Sequence, residues 1–222
     1  MFSKGKIIAA AALALAVNSA MAADSVDVKV IGTIVPTACT PALAGGNTID
    51  YGTIKASNIA PDDYTVLPKK LVNFTITCDA PAKVALKTID AKSDSLVRPI
   101  GKTILTVGVD DSTPMQGLGM NGTQKIGAYR MLLSAVSVDG GTPVKYLLSK
   151  DNGASWLKPL YVWLSPGSIA TVGTLDGDNA PLAFTTLNGT FQLQAAINKG
   201  SELDLTKAVH LDGMSTIELY YL

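Results

Sequence analysis

Residues 70–78 read Lys70-Leu71-Val72-Asn73-Phe74-Thr75-Ile76-Thr77-Cys78, an alternation of apolar and polar side chains rich in β-branched and aromatic residues. In a strand, successive side chains point to opposite faces, so Val72, Phe74, Ile76 and Cys78 share one apolar face. The same period of two recurs in Val26-Asp27-Val28-Lys29-Val30 and in stretches 84–88, 191–195 and 217–221. Between these runs lie Gly45-Gly46-Asn47, Asn121-Gly122, Asp139-Gly140-Gly141 and Asn188-Gly189, residues that tolerate positive φ in tight turns. No stretch after Ala23 keeps helical periodicity for three turns. The chain therefore reads as all-β, with turns spaced as in a sandwich. No repeat or linker divides it, and we expect one domain with an enlarged, less regular middle over about 91–181.

At the N-terminus, Lys4 and Lys6 precede an apolar run over 7–17, and Ala20-Met21-Ala22 supplies a small-x-small cleavage site. That is the pattern of a signal peptide over 1–22, and the run is too short to cross a bilayer. The mature chain would be 23–222. The full sequence carries 18 basic and 18 acidic residues, and removing Lys4 and Lys6 leaves 16 against 18. No basic cluster follows a phosphate backbone, so nucleic acid is not an expected partner. The two cysteines, Cys39 and Cys78, are expected to form a disulfide in an oxidising compartment. Closing that loop stabilises the fold by about 4 kcal/mol in the chain-entropy model.

Catalytic chemistry is poorly supplied. The single histidine, His210, sits in Lys207-Ala208-Val209-His210-Leu211 with no nucleophile elbow elsewhere. It reads as a solvated loop or strand residue, and no enzyme, cofactor or metal is expected. Ser149-Lys150-Asp151-Asn152-Gly153-Ala154-Ser155-Trp156 resembles the Asp-box hairpin of sialidases and other β proteins, but it occurs once and only Arg98 and Arg130 are present to bind a carboxylate. We read it as a structural hairpin in which Asp151 bonds its own turn and Trp156 packs beneath. Asp176-Gly177-Asp178-Asn179 reads as a plain turn rather than a calcium loop. Tyr161 and Trp163 alternate and so share a face, for which a buried core face is preferred to a stacking platform.

Both ends of the mature chain are alternating strands: Val26, Val28, Val30 at one and Ile217, Leu219, Tyr221 at the other. From periodicity alone, the first is either an ordinary strand or a donor to another sheet. Four stretches resemble the chaperone–usher pilins. They are Val28-Lys29-Val30-Ile31-Gly32-Thr33-Ile34-Val35-Pro36-Thr37-Ala38-Cys39, then 70–78, then Gly189-Thr190-Phe191-Gln192-Leu193-Gln194-Ala195-Ala196, and finally Thr216-Ile217-Glu218-Leu219-Tyr220-Tyr221-Leu222.

The resemblance implies an immunoglobulin-like β-sandwich of pilin type over 32–222, incomplete and completed by a donor strand. It implies a donor extension over 23–31 carrying Val26, Val28 and Val30, with Gly32 marking the start of the subunit's own first strand. It assigns Ile217, Leu219, Tyr221 and Leu222 to the acceptor groove and chaperone-binding strand. The expected function is a structural subunit of a surface fimbria, built by donor-strand exchange and supporting adhesion. The implied partners are a periplasmic chaperone, an outer-membrane usher and neighbouring subunits, with no integral membrane segment in the mature chain. The competing expectation is a monomeric secreted sandwich that binds a carbohydrate through Trp156, Tyr161 and Trp163.

Overall fold

The computed structural model describes residues 28–222. The signal-peptide reading of 1–22 and the reading of Val26 lie outside the described residues. The chain divides into two units, Met1–Val35 and Pro36–Leu222. In the first, residues 28–35 carry no strand, and Val28, Val30, Ile31, Ile34 and Val35 are all exposed.

The second unit contains the strands β1 (Cys39–Leu43), β2 (Thr65–Val66), β3 (Lys70–Ala82), β4 (Val84–Asp90), β5 (Thr103–Ile104), β6 (Val107–Gly108), β7 (Gln116–Gly117) and β8 (Met120–Asn121). These are followed by β9 (Gln124–Lys125), β10 (Gly127–Val138), β11 (Thr142–Ser149), β12 (Val162–Leu164), β13 (Ile169–Thr174), β14 (Phe184–Ile197) and β15 (Ser215–Tyr221). Helical structure among the described residues is confined to short 3-10 turns. The fold is all-β and immunoglobulin-like.

One sheet runs β1-β3-β14-β10, and the other β11-β13-β4-β15, with the β10–β11 hairpin joining them. Every strand pairing in both is antiparallel. The alternation in 70–78 does what its period requires: Phe74, Ile76 and Cys78 are buried while Leu71, Asn73 and Thr77 are exposed. Phe74 stacks on Phe191 of the neighbouring β14, with centroids 4.1 Å apart. Such a pair adds about 0.5–1.5 kcal/mol to its area burial. Gly189 makes that stack possible, because a Cβ there would lie 2.6 Å from the Phe74 ring.

Cys39 and Cys78 are direct partners in the β1–β3 ladder and are disulfide-bonded. A bonded pair is the state expected outside a reducing cytosol. No helix among the described residues is long and apolar enough to cross a membrane.

Two expectations shift. The first strand opens at Cys39, not at Gly32. Residues 32–38 have no assigned strand, and Pro36, which has no N–H to donate, sits among them. A Cβ at Gly32 would meet nothing within 4 Å, so the single chain contains no close backbone approach there. The stretch 91–181 also divides in two. Its first part folds into short hairpins such as β5–β6 and β8–β9, while its second supplies the long strands β10, β11 and β13.

Candidate functional site

The edge strands of the two sheets, β1 and β15, come together at one side of the sandwich. In the ladders, β1 pairs only with β3 and β15 only with β4. One side chain bridges the two edges: the Cys39 N–H donates to Tyr221 Oη at 2.8 Å. Pro41, Ala42 and Leu43 of β1 and Ser215 and Ile217 of β15 border a largely apolar groove of about 1270 Å³. Phe74, Ile76, Phe191 and Leu193 line it from the first sheet, and Leu86 and Ile217 from the second. Its volume exceeds the roughly 300–1,000 Å³ of ordinary small-molecule sites.

Two segments without assigned strand flank the groove, 46–54 and 207–211. Neither makes a backbone–backbone hydrogen bond among the described residues. Each points apolar side chains at the core, Ile49, Tyr51 and Ile54 from one and Val209 and Leu211 from the other. The groove is thus bordered by backbone that belongs to no ladder, beside a floor of core side chains. An edge of this kind is a template for another strand.

Within β15 the alternation positions the residues assigned to the groove. Ile217 and Leu219 pack against the core, while Thr216 and Glu218 face outward and Glu218 lies 3.8 Å from Lys87. Tyr221 is itself exposed; it acts through the hydroxyl that reaches β1. Leu222 extends past the strand, and its N–H donates to the Lys83 carbonyl at 3.1 Å. His210 is an exposed residue at the groove's margin.

The Asp-box-like hairpin forms around Asp151 as its sequence implies. Asp151 Oδ1 accepts from Ser149 Oγ at 2.6 Å and from the Ser155 N–H at 2.9 Å, and Ser155 Oγ donates to Oδ2. Ser149 Oγ accepts in turn from the Gly153 N–H at 2.8 Å. Sequence did not reveal the neighbour of this turn. Gly153, at φ +95°, faces the C-terminus so closely that a Cβ there would lie 3.2 Å from Leu222 and 3.5 Å from the Trp156 ring.

The Ser149 and Ser155 hydroxyls, followed by the Ser155 N–H, hold the Asp151 carboxyl down at about 2. A carboxylate whose folded pKa is depressed contributes stability above its unfolded value of 3.8, and that contribution disappears as pH falls through about 2. In a Trp163→Phe background, Trp156 emission should stay native down to about pH 3 and shift only below it, whereas Asp151→Ala should show the shifted emission at every pH. A midpoint near pH 4 in the parent chain would show that these hydrogen bonds do not hold the turn.

The other motifs are taken up structurally. The Gly177 carbonyl in the 176–179 turn accepts from the Lys145 ammonium, a partner that opposes a cation there. Tyr161 and Trp163 do not face the main core, although Trp163 packs against a smaller buried cluster on the outer face of the sheet. Val162 and Leu164 between and beyond them are the buried residues, while Tyr161 is 62% exposed and Trp163 is half-buried on the outer face of the sheet. The reason is register: Val162 and Leu164 pair with Leu133 and Met131, which face the core.

Residues 28–130 match a family described as "Protein of unknown function (DUF1120)". Over its whole length the chain is also similar to Protein GltF of Escherichia coli (strain K12), with 29% identity covering 100% of both chains. A second relative is the Uncharacterized protein YhcF of the same strain, 26% identical over 92% of this chain and 93% of that protein. No solved structure matches.

Proposed function

We propose that this chain is an exported structural subunit that assembles by accepting a β-strand from another chain, as in a surface fimbria built by the chaperone–usher route and used in adhesion. The groove between β1 and β15 carries the reading, because it combines an apolar floor with bordering backbone that belongs to no ladder. A strand added there would form ladder bonds along β15 and place alternate side chains on Phe74, Phe191 and Ile217. Residues 28–35 have the complementary character: rich in exposed apolar side chains and without a strand partner among the described residues. On this reading the chaperone and then a neighbouring subunit occupy the groove in turn, an usher conducts the exchange, and the surface fimbrium is the destination. The role is non-enzymatic and requires no cofactor.

A synthetic peptide of residues 23–36 tests the acceptor role on purified, chaperone-free chain. We expect saturable binding, protection of the β15 amides from hydrogen exchange and a rise in the melting midpoint of several degrees. Binding that leaves β15 exchange unchanged, or no binding at all, would remove the groove from the function.

A further inference from the structure

The outer face of the first sheet carries a small second core, independent of the groove. Ile104, Leu105, Val109 and Met115 pack there against Ala128 and Leu132 of β10 and Ala196 of β14. Arg130, on the same face of β10 as Ala128 and Leu132, is 3% exposed. Its guanidinium carbon stands 3.4 Å from the Trp163 ring centroid, a close cation–π stack. Nε and Nη1 are buried with no hydrogen-bond partner among the described residues.

A stacked ring satisfies the face of a guanidinium but none of its in-plane N–H groups. Leaving such a charge buried and unpaired is among the larger penalties a fold can carry. Asp110, the acid whose charge acts on Arg130, has one carboxylate oxygen committed elsewhere. Its Oδ1 accepts from the Ser112 N–H and from the hydroxyls of Ser112 and Thr113, while Arg98 is bonded to the Thr113 carbonyl. Burial pushes the Arg130 pKa down to about 10, partly offset by Asp110, so the group remains a cation at neutral pH. Covering it is the β5–β6 hairpin, whose turn residues Leu105 and Thr106 sit at φ 51° and 69°. Positive φ at two side-chain-bearing residues is strain of the sort that collects at ligand clamps.

We infer that Arg130 and Trp163, beneath the 103–116 cover, form a binding site for a small oxyanion, with a planar carboxylate the best match. Nε and the adjoining Nη2, which share one edge of the guanidinium, would hold two oxygens side by side, as in bidentate arginine–carboxylate pairs, and Nη1 on the other side would remain a separate donor. Trp163 fixes the plane of the fork, and the half-exposed edge of this strand, next to the exposed Tyr161, offers the way in.

The full chain with Trp156→Phe leaves Trp163 as the sole tryptophan reporter, since the sequence holds two. It is titrated with sodium acetate, and separately with inorganic phosphate, at constant ionic strength. We expect a saturable change in Trp163 emission with acetate, half-complete at roughly 1–10 mM. Arg130→Lys, which keeps the charge but loses the fork, should weaken it about tenfold or more. Arg130→Met should abolish it. If Arg130→Met fails to fold, the Arg130→Lys comparison decides. A response to phosphate alone would reject the planar carboxylate. No saturable response to either ion, or a curve unchanged by Arg130→Lys, would overturn the site.

Discussion

A chain ending at Met214 is expected to yield no folded domain, measured as loss of soluble protein and of a cooperative melting transition. The deletion removes β15, which pairs with β4 over seven registered positions from Ser215↔Asp90 to Tyr221↔Val84. It also uncovers the core beneath the half-buried Ile217 and Leu219, each contributing part of the roughly 1.5–3 kcal/mol of a fully buried side chain, and cuts the Tyr221 link to β1. Those losses together reach the scale of a whole domain's stability of about 5–15 kcal/mol. A finer substitution separates folding from recognition. Thr216 and Glu218 face outward, so Thr216→Ala with Glu218→Ala should leave the fold within about 0.5 kcal/mol of the parent. Soluble, cooperatively melting protein from the truncated gene would mean that β15 is an accessory and the groove beside it is not the working edge.

The long strands were legible because their faces differ. In 70–78 a one-residue slip would turn Phe74 and Ile76 to water, so period alone defines which face is buried. The cysteine pair was legible for a similar reason, since few partners were available. The first strand was harder: 32–38 has the composition of a strand, but composition does not supply a neighbour, and the ladder begins only at Cys39. Tyr161 and Trp163 show the same limit. Alternation placed them on one face without saying which face of the sheet that was, and the decision fell to the pairing of Val162 with Leu133. The groove itself could not be read locally, because its lining comes from positions as distant as Ile49, Leu86, Phe191 and Leu211. The Arg130–Trp163 stack joins two strands in the same way, and nothing in either stretch marks it.

Val30→Asp is expected to leave the single chain's stability unchanged while abolishing its assembly with other copies. Val30 is 91% exposed, so in the isolated chain a carboxylate there replaces a methyl surface that already faces water, an exchange within about 0.5 kcal/mol. In the proposed assembly the same side chain would enter the groove over Phe74 and Phe191, while the basic side chains that also line it, Lys207 and His210, are exposed at its margin. Burying an unpaired carboxylate costs several kcal/mol, and 1.4 kcal/mol already weakens association tenfold, so polymer should fall below detection. Lys29→Asp serves as the control, because position 29 alternates with Val28 and Val30 and would face solvent in the same strand; it should assemble normally. The exposed row continues through Ile34 and Val35, so Ile34→Asp also asks whether the donor runs past Gly32. Its row, Val28, Val30, Gly32 and Ile34, keeps the period of two, and loss of assembly there would lengthen the donor beyond 23–31. Denaturant melts and sedimentation of the same preparations read the two effects separately. If Val30→Asp lowers the monomer's unfolding midpoint and leaves assembly intact, residues 28–35 belong to their own chain's fold and the exchange of strands between copies is wrong.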